Sequence, residues 1–230
     1  MNLLRTLLAP LSPAPFCLDI GANEGGYIWS ILQARPEATV HAFEPLHHFY
    51  KHCERRFAGE PNVHILPLGI SNKEEYVEGL AVHEAWTLDK PERAKKGRNA
   101  ASLEREGPGT FPVMFTTVDA HIRLQHTPPP PVEFIKLDTD GYEARVLAGA
   151  TATLLRDRPL ILIELSYMVD DIGDSVDDML THLYETLGYR LLLEDGSTPT
   201  QAEMYAQWPW HTSFDAAAVP VERLAGLERR

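Results

Sequence analysis

Short apolar runs alternate with longer amphipathic stretches over the first third of the chain, and glycine or proline closes most of the runs. Phe16-Cys-Leu-Asp-Ile20 ends at Gly21 and predicts a buried strand. After the turn Gly21-Ala-Asn-Glu-Gly-Gly26, residues Tyr27 to Ala34 predict a helix that Pro36 stops. Thr39 to Glu44 predicts a second strand, and Pro45 suits the start of the helix from Leu46 to Phe57. Val63 to Leu68 predicts a third strand. This β-α-β-α-β order signals a parallel sheet covered by helices on both faces.

The pattern lapses from Ser71 to Pro112, which is polar, turn-rich and without a sustained helical period. Residues 72–112 therefore read as an insertion within one domain spanning 1–230. The insertion is a hairpin that serves as an acceptor-binding or lid region, or a surface loop without fixed structure around Lys90 to Gly97. Alternation resumes after the stiff tetraproline Pro128 to Pro131. Val132 to Asp138 predicts a fourth strand. Tyr142 to Leu155 predicts a helix with Val146, Leu147, Ala150 and Leu154 on one face. Pro159 to Leu165 is apolar enough to be a central strand, Val176 to Leu187 an amphipathic helix ended by Gly188, and Tyr189 to Leu193 a sixth strand. A last strand is expected near His211 to Val219.

Composition narrows the function. With 33 acidic against 21 basic residues and a formal charge of −12, the chain lacks the basic face that duplex binding requires, apart from the short Arg93 to Arg98 cluster. The same surface argues against docking on anionic lipid, and no window approaches the roughly 18 apolar residues of a membrane span. The apolar N-terminus is broken by Arg5, Pro10, Pro13 and Pro15, and it reads as a short docking helix rather than a signal peptide. Cys17 and Cys53 are expected as packed free thiols, which fits a cytoplasmic protein.

The candidate chemistry lies at strand ends, where open α/β sheets bind their ligands. Gly21 and Gly25 in Asp19-Ile-Gly-Ala-Asn-Glu-Gly25 allow a tight turn and close backbone approach. The spacing is neither a dinucleotide fingerprint nor a P-loop, so a pyrophosphate would lack its cradle. Asp19 would repel phosphate and suit an ammonium or sulfonium group. Glu44 ends the second strand roughly twenty residues after the glycine turn, where a carboxylate can accept both hydroxyls of a ribose. The implied ligand is a nucleoside with a positive, phosphate-free tail, a description that fits S-adenosylmethionine.

At this point the sequence resembles the FkbM-type family of S-adenosylmethionine-dependent methyltransferases. The resemblance rests on Leu-Asp-Ile-Gly-Ala-Asn-Glu-Gly (18–25), Ala-Phe-Glu-Pro (42–45), Leu-Pro-Leu-Gly-Ile-Ser (66–71), Asn-Ala-Ala-Ser-Leu (99–103), Thr-Thr-Val-Asp (116–119), Phe-Ile-Lys-Leu-Asp-Thr-Asp-Gly-Tyr-Glu (134–143) and Leu-Ile-Glu (162–164). It implies a doubly wound, mostly parallel α/β sheet of seven strands with the last antiparallel, a Rossmann-like fold. It also implies methyl transfer to a hydroxyl of a sugar or secondary metabolite, so the partner is a small-molecule or glycan acceptor. By position, Asp19, Gly21, Asn23 and Gly25 would line the methionine end of the cofactor, Glu44 the ribose, and Gly69, Ile70 and Ser71 the adenine. The family commonly has glutamate where this chain has Asp140, one methylene shorter.

An alcohol needs a base or a metal to become nucleophilic. Asp138 and Asp140 are the catalytic candidates, with Glu164 expected beside them. Asp138 is placed facing the transferred methyl, and its alternative is an N-cap for the following helix. Three carboxylates could also hold Mg²⁺, a reading set below the metal-free one. His41 and His64 read as structural, while His47 and His48 are either solvated or near the cofactor edge. Tyr205, Trp208, Trp210 and His211 read as core packing, with an acceptor pocket or a homodimer contact as alternatives. A nicotinamide-dependent oxidoreductase would need the missing glycine fingerprint. A catalytically inactive binding protein on the same fold is the alternative that Asp140 leaves open.

Overall fold

A computed structural model describes residues 1–81, 110–125, 128, 130–207 and 212–227. The basic cluster at Arg93 to Arg98, the stretch Asn99 to Leu103 and the aromatic side chains of Tyr205, Trp208, Trp210 and His211 lie outside what is described. Ten strands are described: β1 (Phe16–Ile20), β2 (Thr39–Phe43), β3 (Val63–Leu66), β4 (Gly69–Ile70), β5 (Glu75–Ala81), β6 (Thr110–Thr116), β7 (Val132–Leu137), β8 (Leu160–Ser166), β9 (Tyr189–Leu192) and β10 (Ser213–Pro220). Seven of them form one sheet in the order β3-β2-β1-β7-β8-β10-β9. The first five in that order run parallel, and β10 lies antiparallel to both β8 and β9. Strand order reverses between β1 and β7, which is where such sheets open a ligand crevice.

Helices cover both faces. α1 (Leu3–Leu8), α2 (Gly26–Ala34) and α3 (His47–Arg56) pack Leu7, Ile28, Ile31 and Cys53 onto the face carrying Cys17, Val40 and Phe134. On the other face α4 (Val118–Gln125), α5 (Glu143–Gly149), α6 (Thr151–Asp157) and α8 (Val176–Thr181) bury Ile122, Val146, Leu147, Leu154 and Leu180 against Leu18, Ile135 and Ile163. Burial on both faces explains why these strands read as unbroken apolar runs rather than alternating ones. Cys17 and Cys53 are both free and buried.

Three features depart from the sequence pattern. The helix expected over Tyr142 to Leu155 is two helices, broken at Ala150 (φ −109, ψ 1). A Cβ on Gly149 would stand 2.1 Å from the Ser71 carbonyl oxygen, so the backbone of α5 packs directly against the chain leaving β4. The second helix then starts afresh, with Asp119 of α4 accepting hydrogen bonds from the Ala152 and Thr153 amides. Helix α4 itself lies in a stretch with no sequence expectation, and Thr117 opens it by accepting from the Ala120 amide. Finally, the insertion's roots are ordered: β5 and β6 pair antiparallel and, with β4, make a small second sheet in the order β4-β6-β5. Short helices α7 (Met168–Asp171), α9 (Gln201–Gln207) and α10 (Leu224–Leu227), with a 3-10 turn at Val221–Arg223, complete the described elements, and α8 runs on into a π-helical turn at His182–Thr186.

Candidate functional site

Beyond the carboxyl ends of β1, β2, β7 and β8 lies a cavity of about 560 Å³. That volume suits a nucleoside-sized ligand. One part of its wall is apolar and aromatic: Phe43, Leu46, Phe49, Leu68, Ile70, Leu80 and Phe115. Another part is acidic, with Asp138, Asp140, Glu164 and Asp171 against Arg145. Arg145 is itself tied to Asp174 at 2.6 Å. Tyr142 completes the wall, stacked on Phe115 with ring centroids 5.3 Å apart.

Of the residues expected from sequence, Gly21, Asn23, Glu44, Gly69, Ile70, Asp138 and Asp140 line this cavity. Asp19, Gly25 and Ser71 do not line it. Both glycines of the first turn have positive φ, +83° at Gly21 and +77° at Gly25. Chain packing by itself already requires glycine at both positions. A Cβ at Gly21 would lie 1.8 Å from the Asp138 carbonyl oxygen, and one at Gly25 would lie 2.5 Å from the Phe57 ring. A Cβ at Gly69 would likewise lie 2.4 Å from the Phe115 ring. Ser71 is fully buried, and its amide donates to the Thr116 carbonyl.

Glu44 is held by the backbone around it. Its Oε2 accepts from the Asn23 amide and its Oε1 from the Leu46 amide, both at 2.8 Å. Two amide donors fix the carboxylate plane and leave each oxygen a further lone pair toward the cavity. Burial pushes the group up to about 7, against the pull of those two amides.

Asp19 is fully buried, and among the described residues neither of its oxygens accepts a hydrogen bond. Its counter-charge is Lys136, whose Nζ stands 3.6 Å from Asp19 Oδ1 and 3.3 Å from Asp138 Oδ2. Burial raises Asp19 to about 6 while Lys136 holds it down. Lys136 lies within the Phe134–Glu143 motif, where no role is expected for it from sequence. A lone lysine in Phe134-Ile-Lys-Leu137, an otherwise apolar strand, was the available signal, since a buried ammonium requires partners.

The loop after β7 is organised by Glu143, another residue with no role expected from sequence. It is fully buried; Oε1 accepts from the Thr139 amide (2.7 Å) and hydroxyl (2.8 Å), and Oε2 from the Gly141 amide (3.0 Å). The loop amides that an N-capping Asp138 would have taken thus belong to Glu143, and the N-cap residue of α5, Tyr142, supplies no side-chain cap. Asp140 sits at φ +53°, uncommon for a non-glycine residue. Carboxylate oxygens of Asp138, Asp140 and Glu164 lie within 4.8 Å of one another. Burial and then the charges of Asp138 and Asp140 push Glu164 up to about 8. These are hard oxygen donors of the kind Mg²⁺ takes, and equally a set that can share a proton.

None of the described histidines lines the cavity. His41 and His121 are buried and share a 2.8 Å contact between ring nitrogens, with the exposed His64 edge-on to His41. His47 is exposed on α3, and His48 follows it there without reaching the cavity.

Fold and cavity together define a doubly wound α/β protein with an acid-rimmed crevice at its strand-order switch. A family model described as "Methyltransferase FkbM domain" matches residues 19–191, and the chain belongs to that family. It is similar to the 2-O-methyltransferase NoeI of Sinorhizobium fredii (strain NBRC 101917 / NGR234), at 25% identity over 154 residues. That match covers 64% of this chain and 61% of the relative. The crystal structure of methyltransferase FkbM from Methylobacillus flagellatus KT superposes with a TM-score of 0.53 at 16% identity, over 92% of this chain and 45% of that one. The likeness in structure concerns the fold, and the chain spans less than two thirds of either protein's length.

Proposed function

We propose that this protein is an S-adenosylmethionine-dependent methyltransferase acting on a hydroxyl of a sugar or secondary-metabolite acceptor. The observation that carries the reading is Glu44, a carboxylate oriented by two backbone amides at the edge of a nucleoside-sized cavity. The donor set fits the proposed cofactor: a ribose-accepting carboxylate, an apolar wall for a base, and an acidic end that suits a cation and opposes phosphate. Bound S-adenosylmethionine would supply an activated methyl group on a sulfonium.

Glu44 would accept the ribose hydroxyls. Ile70 and Gly69, with Leu46, Phe49 and Phe115, would enclose the adenine. The Gly21 to Asn23 turn would carry the methionine end; Asp19, Gly25 and Ser71 would support it from behind. The protein's remaining tasks are alignment of the acceptor and removal of its proton. Asp138 and Asp140 are assigned that work, with Glu164 sharing the proton. Leu80, on a strand at the root of the insertion, lines the cavity, which supports residues 72–112 of the single domain as the acceptor-binding or lid region. The O-methyl reading also draws on the resemblance to a 2-O-methyltransferase.

Calorimetric titration with S-adenosylmethionine and, separately, with NAD tests the donor assignment; preferential binding of NAD overturns it. A panel of glycans and phenolic or polyol metabolites, incubated with isotopically labelled donor and read by mass spectrometry, tests transfer. Donor binding with no acceptor labelled across the panel would favour the inactive binding protein.

A further inference from the structure

Asp19 and Glu164 stand near the carboxyl ends of β1 and β8, Asp215 lies near the amino end of the antiparallel β10 opposite Glu164, and Asp138 directly follows β7. Lys136 enters this acidic group from β7, flanked by the buried Ile135 and Leu137 and itself 3% exposed. Its Nζ donates to the Gly21 carbonyl, stands 3.3 Å from Asp138 Oδ2 and 3.6 Å from Asp19 Oδ1, and lies 5.0 Å from the centroid of the Tyr27 ring. The Tyr27 hydroxyl reaches Asp215 Oδ2 at 3.4 Å. A lysine present only to neutralise Asp19 would make its closest contact there. Instead the ammonium lies nearest the Gly21 carbonyl, then Asp138, and Asp19 is the most distant of its three oxygen partners. Gly21 and Asp138 belong to the two walls of the crevice, one following β1 and the other following β7.

We propose that Lys136 is a positioning residue of the donor site, tying the Gly21 turn to the Asp138 end of β7 so that the floor of the crevice is set before the nucleoside arrives. The inference rests on the donor reading above. Lys136 itself is almost inaccessible from the cavity and acts through the groups it holds. Removing its charge frees the turn, and the donor must then order it on binding, which weakens affinity.

The test uses the full chain with S-adenosylhomocysteine as calorimetric probe, and amide hydrogen exchange over residues 21–25. Lys136→Met leaves Asp19 buried and unpaired and threatens folding, so it is compared with Asp19→Asn and with the double variant, which carries neither buried charge. The double variant is expected to bind at least about tenfold more weakly than Asp19→Asn, roughly the worth of one charge-assisted hydrogen bond, and to exchange faster across the turn. Affinity within about threefold of Asp19→Asn, with exchange unchanged, would mean that Lys136 merely neutralises Asp19, and the proposal fails. Wild-type protein that leaves the probe unbound overturns the donor reading instead, and the exchange comparison then decides by itself whether the tie exists.

Discussion

Among the described residues burial holds five carboxylates above their ordinary range: Asp19 at about 6, Glu44 and Glu143 at about 7, Glu164 at about 8, and Asp215 in the same direction. Their surroundings differ. Two backbone amides hold Glu44 and a lysine faces Asp19, whereas the Glu164 pocket adds the repulsion of Asp138 and Asp140. Different outcomes follow when single side chains are removed. Glu44→Ala is expected to weaken S-adenosylhomocysteine binding on the order of 100-fold by calorimetry, the loss of two hydrogen bonds to a charged acceptor. Asp138→Ala should chiefly slow turnover, by a factor well beyond the loss in donor affinity that follows from releasing its contact with Lys136, because its proposed work lies at the transferring group. Turnover with an identified acceptor should rise with pH through about 8, as Glu164 gives up its proton. A flat pH–rate profile across that range would remove Glu164 from proton transfer.

At the scale of elements, the site depends on three turns locked by tertiary contacts. The β1–α2 turn passes so close to the Asp138 carbonyl that Gly21→Ala must move backbone, in addition to placing a side chain at φ +83°. It is expected to destabilise the fold by at least about 2 kcal/mol in chemical denaturation, with donor affinity falling as well. The β7–α5 loop hangs on Glu143. Glu143→Gln keeps the shape and one carbonyl acceptor but loses the other, and burial of the leftover amide hydrogens should cost about 1–3 kcal/mol. Turnover should fall further than stability alone accounts for, since the loop carries Asp138 and Asp140; wild-type kinetics in a folded Glu143→Gln protein would contradict this. The third turn, where α5 gives way to α6, follows from the approach of Gly149 to Ser71 and from the capping by Asp119.

Over the whole molecule these shifts set how stability depends on pH. Asp19 rises from 3.8, and Glu44, Glu143 and Glu164 from 4.5, so between those values and about 6 to 8 the folded state holds more protons than the unfolded chain. Their contribution is fully present below the unfolded values and is lost as pH rises through the folded ones. His121 has the opposite sign: burial lowers it from 6.5 to about 4, so it costs stability as pH falls across that interval and adds no slope above it. The ligand-free protein is therefore expected to melt at a lower temperature at pH 8 than at pH 6.5, a direction reinforced by its net charge of −12. A melting temperature that climbs over this interval would contradict the assigned shifts. Among the described residues no helix is long and apolar enough to cross a membrane.

Strands β1, β2, β7 and β8, their parallel order and the glycine turn were legible in the sequence, because strands buried on both faces leave unbroken apolar runs closed by glycine or an acid. The same logic located Glu44, Asp138 and Asp140, since polar residues at the ends of such runs emerge on one sheet edge. Tertiary structure alone decided which of these groups face the cavity and which support it. Asp19 looks in sequence like a binding carboxylate, yet it is sealed beneath Lys136, and Gly21 and Gly25 answer to neighbouring atoms from segments distant in the chain. The helix break at Ala150, the capture of the loop amides by Glu143 and the small second sheet arise in the same way. Periodicity reports the average environment of a segment, but close contacts between remote segments depend on distances that no local pattern encodes.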